Sequence, residues 1–349
     1  ELLELQLSSV VDFSAKHFKL YVTFNKPEKH NCFTLESISQ LGEVLKQYQN
    51  REMVIMGSGS KSFTSGGDLQ SFVERPQDFA VGYGRTWATF LHVSRRKYDR
   101  MAILKGITYG GGCVWSNIST VKVATDSTSW CAPENQAGFF TDGGVSYYYN
   151  QLKHEGLGLY LALSSRTING ADAYAVGLAT HYITDDNIPE LLRLTETIPV
   201  RIAADALHAK PPSDKYSILQ HLTTIKECFS DVTSVDEIFQ RLAANGSEWA
   251  SRLLEDMLKL CPLSLVVSFT NYTLARNKSF KEVLEMEYDV GLQMILHKNT
   301  NFLLGFKHKL KNKSKARAEW VPARVADVPQ SLVREIFENR EGPHLSLDE

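Results

Sequence analysis

The run Leu104-Lys-Gly-Ile-Thr-Tyr-Gly-Gly-Gly112 is followed at close range by Ala132-Pro-Glu134 and then by Thr141-Asp-Gly-Gly144. An apolar, strand-like segment thus enters a triple glycine, and two acids follow. Glycines let the backbone approach a ligand closely, and a helix starting there presents N–H groups that no preceding turn can satisfy. An anionic oxygen is favoured at such a helix start. The chemistry that uses fixed N–H dipoles beside a carboxylate is attack on, or enolisation of, an activated carbonyl. Phe63-Thr-Ser-Gly-Gly-Asp68 is a second loop able to supply another donor.

These stretches carry a family resemblance. With Lys61-Ser-Phe-Thr-Ser-Gly-Gly-Asp-Leu69, Val123-Ala-Thr125 and Gly177-Leu-Ala-Thr-His-Tyr182, the chain resembles the crotonase (enoyl-CoA hydratase/isomerase) superfamily. Cys261-Pro-Leu-Ser-Leu265 and Leu284-Glu-Met-Glu-Tyr288 extend the likeness to its 3-hydroxyisobutyryl-CoA hydrolase branch, which is longer than the hydratases. The resemblance implies an α/β fold, a crotonase spiral of β-β-α turns with a helical C-terminal region.

Local patterns agree with an α/β chain. Phe18, Leu20, Val22 and Phe24 alternate with polar or mixed residues, the period of a half-buried strand, and Asn25-Lys-Pro27 reads as its turn. Leu35, Ile38, Leu41, Val44 and Leu45 form a helical stripe over Leu35 to Tyr48. Met53 to Met56 and Met101 to Leu104 suit buried strands. Past Ala203 strand signals thin, and Lys210-Pro-Pro-Ser213 marks a break. This predicts a crotonase-like core over 1–210 and a mainly helical region over 211–349, with helices at Val235 to Ala244, Trp249 to Leu260 and Phe280 to His297.

The 349 residues suffice for a full core, and 43 % hydrophobic with 22 % charged residues is ordinary for a globular protein. A net charge of -2 offers no global attraction for nucleic acid. The five cysteines, Cys32, Cys113, Cys131, Cys228 and Cys261, include no C-x-x-C pair and suggest neither a disulfide framework nor a zinc site. No metal is expected, no cofactor beyond the CoA of a substrate, and no membrane span. The first residue is Glu1, so a targeting segment is compatible with the sequence, and the resemblance implies a mitochondrial location.

By resemblance, the N–H groups of Gly67 and Gly111 form the oxyanion hole, Glu134 is the acid/base or nucleophilic residue, and Asp142 engages the substrate's hydroxyl end or the attacking water. Together they would hydrolyse a 3-hydroxyacyl-CoA thioester. Hydration across a double bond needs a second Glu three residues beyond Gly111; Val114 stands there. His181, between apolar residues, reads as a structural histidine, and Cys113 as a small buried filler.

The chain departs from the hydrolase branch around the expected substrate pocket. Val114 and Trp115 replace Gly and Leu, Thr86 falls where a further acid contributes, and the branch's Asp-Val-Gly-Gly-Gly becomes Asp142-Gly-Gly-Val-Ser146. In addition, Lys307, Lys309, Lys311, Lys313, Lys315 and Arg317 alternate with no acid among them. If extended, this run sets its cations on one edge, a spacing suited to successive phosphates of RNA or of CoA; a solvated loop is the other reading. The resemblance extends to a hydrolase-like relative recruited into the mitochondrial small ribosomal subunit in some eukaryotic lineages, and this implies a second function beside the hydrolase: a retired enzyme serving as a structural component of that subunit, with rRNA and ribosomal proteins as partners.

Overall fold

The computed structural model describes all residues except 1–2, 7–9, 17, 298–299, 312–315, 339–344, 346 and 348–349. It divides into two compact units. The first comprises 1–68, 81–131 and 167–219; the second comprises 69–80, 132–166 and 220–349. This division differs from a linear boundary at residue 210, because the segment 132–166 groups with the C-terminal helices.

Among the described residues, the first unit holds all the strands: β1 (Leu3–Gln6), β2 (Val11–Lys16), β3 (Lys19–Phe24), β4 (Glu52–Gly57), β5 (Ser62–Thr64), β6 (Arg100–Leu104), β7 (Ile107–Tyr109), β8 (Val121–Ala124), β9 (Ser129–Cys131), β10 (Ile168–Asn169) and β11 (His181–Tyr182). Seven form a sheet in the order β1-β2-β3-β4-β6-β8-β11, and four form a second in the order β10-β9-β7-β5. The architecture repeats. A long strand of the first sheet (β4, β6, β8) is followed after a tight turn by a short strand of the second (β5, β7, β9), so equivalent strands stack in parallel register. Gly106 makes one of these turns at φ +78°, and a Cβ there would lie 2.3 Å from the Lys61 carbonyl oxygen.

Interior strands of a parallel sheet are covered on both faces, so they lose simple alternation. β3 shows this: Leu20, Val22 and Phe24 are buried, and so is Tyr21, which shares a face with Val54, Met101 and Val121. On that face pack Leu191, Val200 and Ala203 from the helices Ile188–Thr195 and Val200–Leu207. The half-buried strand expected from alternation is therefore corrected to a buried one. Its expected first residue, Phe18, is instead in the β2–β3 hairpin turn, left-handed at φ 61° and 86 % exposed.

The expected helix after β3 spans Leu35–Gln47, started by a reciprocal Thr34–Ser37 capping box. Val114 and Trp115 lie on the helix Gly111–Asn117 and are buried, with the Trp115 ring 5.7 Å from Phe24 and edge-on to Phe90 at 5.3 Å. Both side chains are core packing of the first unit. Thr86 is also buried, and its hydroxyl donates to the Gly82 carbonyl one turn back on its own helix.

The second unit is helical. Its centre is Leu157–Ser164, apolar all round and buried at every residue, packed by Leu222–Phe229, Glu248–Met257 and Pro262–Ala275. Helices also span Val235–Asn245 and Phe280–Leu292, the latter continuing as a π-helical stretch, Gln293–His297. Trp115→Ala should lower unfolding stability by about 3–5 kcal/mol, the usual cost of emptying a buried tryptophan site. Denaturant unfolding monitored by circular dichroism would check it; a change below about 1 kcal/mol is incompatible with core packing.

Candidate active site

In the first unit, β5 and β7 pair in parallel, so the loops leaving their C-terminal ends emerge side by side. Gly66 sits at φ +93°, and a Cβ on it would lie 2.7 Å from the Gly111 nitrogen. A Cβ on Gly111 would meet Phe33 Cζ at 2.6 Å, and one on Gly112 would meet the Thr64 carbonyl oxygen at 2.6 Å. Backbone approaches backbone here to a distance that any side chain would prevent.

The N–H directions follow from the pairing. Phe33 N–H donates to Gly66 O at 3.0 Å and Asp68 N–H donates to Phe33 O at 2.8 Å. Residues alternate sides along a strand, so the N–H of Gly67 points away from Phe33. Gly111 opens the helix Gly111–Asn117, and its N–H has no intrahelical acceptor. Neither N–H donates to any described residue. They are two available donors on adjoining loops.

Asn31, fully buried and left-handed at φ 56°, holds the Gly66 loop in place. Its amide donates to Ser58 O (2.9 Å) and Ser62 O (2.7 Å), and its Oδ1 accepts the Lys26 N–H at 3.0 Å. Its carbonyl accepts the Thr64 hydroxyl at 2.7 Å, which in turn accepts the Gly66 N–H at 3.1 Å. Sequence reasoning missed Asn31; its one signal was an Asn in a short turn after a strand.

The second unit carries the acids. Glu134 begins a 3-10 turn, Glu134–Gln136, and the next residue, Asn135, ties that turn down. Asn135 Nδ2 donates to Ala162 O at 2.9 Å, its Oδ1 accepts from Ser268 Oγ at 2.9 Å, and Ser268 Oγ accepts the Thr141 N–H at 3.0 Å. The segment from Glu134 to Asp142 is thereby anchored to the helices Leu157–Ser164 and Pro262–Ala275. After Asp142 the chain turns through Gly143 and Gly144, both at φ +73°. Gly144 N–H donates to Glu287 Oε2 at 2.6 Å, and Asn271 Nδ2 donates to Glu287 Oε1 at 2.8 Å.

Glu134, Asp142 and Glu287 interact electrostatically. Burial pushes the Glu134 carboxyl well above the ordinary range, and the charges of Asp142 and Glu287 push it the same way; its Oε2 is out of solvent with no hydrogen-bond partner among the described residues. Burial also raises Glu287, to about 8, against the opposing hydrogen bonds from Asn271 and Gly144. A carboxyl titrating nearer neutrality is suited to taking and returning a proton.

The remaining sequence candidates are placed elsewhere. Lys307 lies in a π-helical stretch, Phe306–Lys311, which also contains Lys309 and Lys311. The stretch is helical where extended backbone was needed to put alternate residues on one edge, so that geometry is corrected. Lys313 and Lys315 lie outside the described residues. Arg317 donates to the carbonyls of Leu258 (3.0 Å for Nε) and Ala323, so its guanidinium is committed within the second unit. His181 is buried, with Nδ1 2.7 Å from Thr180 Oγ1 and Nε2 2.9 Å from Asp205 Oδ1. Cys113 is buried and its thiol donates to Cys131 O. Among the described residues there is no cluster of three or more His, Cys, Asp or Glu that could hold a metal ion, and no helix long and apolar enough to cross a membrane.

The enoyl-CoA hydratase/isomerase family profile matches residues 20–337. Similar proteins include the mitochondrial 3-hydroxyisobutyryl-CoA hydrolase of Xenopus tropicalis, 29 % identical over 346 residues, covering 93 % of this chain and 88 % of that protein. The mitochondrial 3-hydroxyisobutyryl-CoA hydrolase of Homo sapiens is 29 % identical over 335 residues, covering 91 % and 86 %. Among solved structures, a carnitinyl-CoA dehydratase from Mycobacterium thermoresistibile has a TM-score of 0.90 at 25 % identity, covering 98 % of this chain and 99 % of that one.

Both raised carboxyls favour their protonated forms in the folded state, so their contribution to stability is complete below the unfolded value of 4.5 and is lost as pH rises; for Glu287 the loss runs through about 8. The thermal midpoint should therefore fall between pH 5 and pH 8, and Glu287→Gln should flatten that slope. Differential scanning fluorimetry across the range checks it; equal slopes in both proteins would show that Glu287 titrates normally.

Proposed function

This chain belongs to the enoyl-CoA hydratase/isomerase family and has its fold, and from that premise we propose that it is a mitochondrial hydrolase of a short 3-hydroxyacyl-CoA thioester, with 3-hydroxyisobutyryl-CoA as the first candidate. One combination carries the reading. The chain offers two backbone donors without an acceptor among the described residues and a desolvated carboxyl, Glu134, whereas the position of a hydratase's second acid is a buried valine, Val114. Hydration needs acid/base groups around a double bond. Thioester hydrolysis needs only oxyanion donors and one group that activates water.

In this reaction the thioester oxygen accepts from the N–H groups of Gly67 and Gly111, where negative charge develops as the carbonyl carbon becomes tetrahedral. Glu134 takes a proton from water, the water oxygen bonds to that carbon, and the carbon–sulfur bond breaks. The departing CoA sulfur receives the proton from Glu134, leaving the free acid and CoA. Asp142 engages the substrate's 3-hydroxyl or the attacking water. CoA enters as part of the substrate, and the chemistry calls for no further cofactor. Thr86, with its hydroxyl returned to its own helix, makes no polar contribution, so selectivity for the hydroxyl end falls more heavily on Asp142.

The test is release of free CoA from 3-hydroxyisobutyryl-CoA by the purified protein, with Glu134→Gln excluding a contaminating hydrolase. Turnover abolished in the variant is expected. A folded wild type without turnover would overturn the reading and leave the structural role, to be sought by co-sedimentation with the mitochondrial small ribosomal subunit. Gly66→Ala should remain folded yet lose on the order of 100-fold in kcat, since its Cβ would displace the Gly111 donor.

A further inference from the structure

Glu287 lies on the helix Phe280–Leu292 and is fully buried, a placement that costs free energy unless both carboxylate oxygens are satisfied. Oε2 accepts the N–H of Gly144 at 2.6 Å, and Oε1 accepts from Asn271 Nδ2 at 2.8 Å. The same Asn271 nitrogen donates to the Thr141 carbonyl at 3.1 Å and lies 3.2 Å from Ser146 Oγ. Thr141 and Gly144 flank Asp142 in the chain. One buried Asn–Glu pair therefore grips the backbone on both sides of the acid.

The turn itself allows little latitude. Gly144 is at φ +73°, and a Cβ there would lie 2.1 Å from Phe280 Cε2, on the same helix as Glu287. Phe280 is in turn packed by Tyr147 and Tyr148, at ring distances of 5.6 and 5.3 Å. One helix thus supplies both the steric stop and the hydrogen-bond anchor for the Asp142-Gly143-Gly144 turn, the very place where this chain departs from the branch pattern.

Resting on the hydrolase reading above, we propose that Glu287 is a positioning residue that aims the Asp142 carboxylate by anchoring the N–H of Gly144. The side chain has to be an acid for a stereochemical reason. Gly144 N–H and Asn271 NH2 are both donors, so each oxygen of Glu287 must offer a lone pair, which a carboxyl does on both oxygens whether ionised or protonated. Glutamine can accept from only one of them and turns a donor toward the other, and flipping Asn271 would break its bond to Thr141 O. The titratable group whose charge raises Glu287 is Asp142, and the charge of Glu287 in turn raises the carboxyl of Glu134. Position and proton affinity of the acids are thus set together.

The experiment compares wild type, Glu287→Gln and Glu287→Asp in CoA release from 3-hydroxyisobutyryl-CoA between pH 5 and pH 8.5, alongside amide exchange at Gly144. The expected result for Glu287→Gln is a roughly 10- to 100-fold lower kcat with KM changed less, as for a misaimed group. The acid limb of its kcat/KM profile moves to lower pH, and Gly144 exchange accelerates while core protection is unchanged. Glu287→Asp, which keeps a lone pair on each of two oxygens, should recover part of kcat, and if Glu287→Gln does not fold the same readings are taken on the Asp variant. Wild-type kcat and an unmoved acid limb in a folded variant would overturn the proposal. So would a loss of activity that merely tracks lost folded protein. If the wild type itself releases no CoA, it is the hydrolase reading that fails; the anchor is then judged on exchange alone, and unaltered Gly144 exchange in the variant refutes it.

Discussion

Parallel pairing of β5 with β7 brings two loops so close that the Gly66 and Gly111 backbones leave no room for a Cβ between them. The geometry of the first unit's two glycine loops depends on this contact. It is available because each long strand of the larger sheet hands over, through a tight turn, to a short strand of the smaller one, and successive repeats stack in register. The donors at Gly67 and Gly111 then arise from ordinary backbone rules: alternation along a strand directs one, and the unsatisfied first turn of a helix supplies the other. Electrostatic preorganisation of this kind needs no charged side chain. It needs glycine and a buried support, here Asn31, which spends its amide on carbonyls that the loop would otherwise leave unpaired.

The second unit solves a different problem. Its acids are held in low-polarity surroundings, and burial is the largest cause of the upward shift at both Glu134 and Glu287. Three interacting carboxyls cannot all be ionised at little cost, so protons are retained where a surface acid would have lost them. Buried polar side chains pin the segment from Glu134 to Gly144: Asn135, Ser268, Asn271 and Glu287. Each occupies a site where an apolar residue would pack, and each is hydrogen-bonded. Their presence in the core is explained by what they hold.

The departures from the branch pattern also look different in three dimensions. Trp115 adds bulk, but to an aromatic cluster with Phe24 and Phe90. Thr86 loses an acid and turns its hydroxyl inward. The altered glycine turn after Asp142 is compensated from another helix, by an acceptor and a ring that sequence proximity does not connect to it. Likewise, a run of alternating cations counts as one edge only if the chain is extended, and its Phe306–Lys311 portion is helical.

From sequence alone, the glycine loops, the α/β rhythm and the helical character of the C-terminal region could be read, because each depends on residues close together in the chain. Helix stripes such as Leu35 to Leu45 and glycine runs such as Gly110 to Gly112 are local signals. The alternation at Phe18 to Phe24 misled, since burial on both faces is a property of neighbouring strands. Glu287 was visible as an acid on the stripe of Phe280, Val283, Leu284 and Gly291, but its purpose was not, because its partner Gly144 is more than a hundred residues away. Which buried polar group satisfies which backbone atom is decided by packing between distant segments, and only the tertiary structure contains that information.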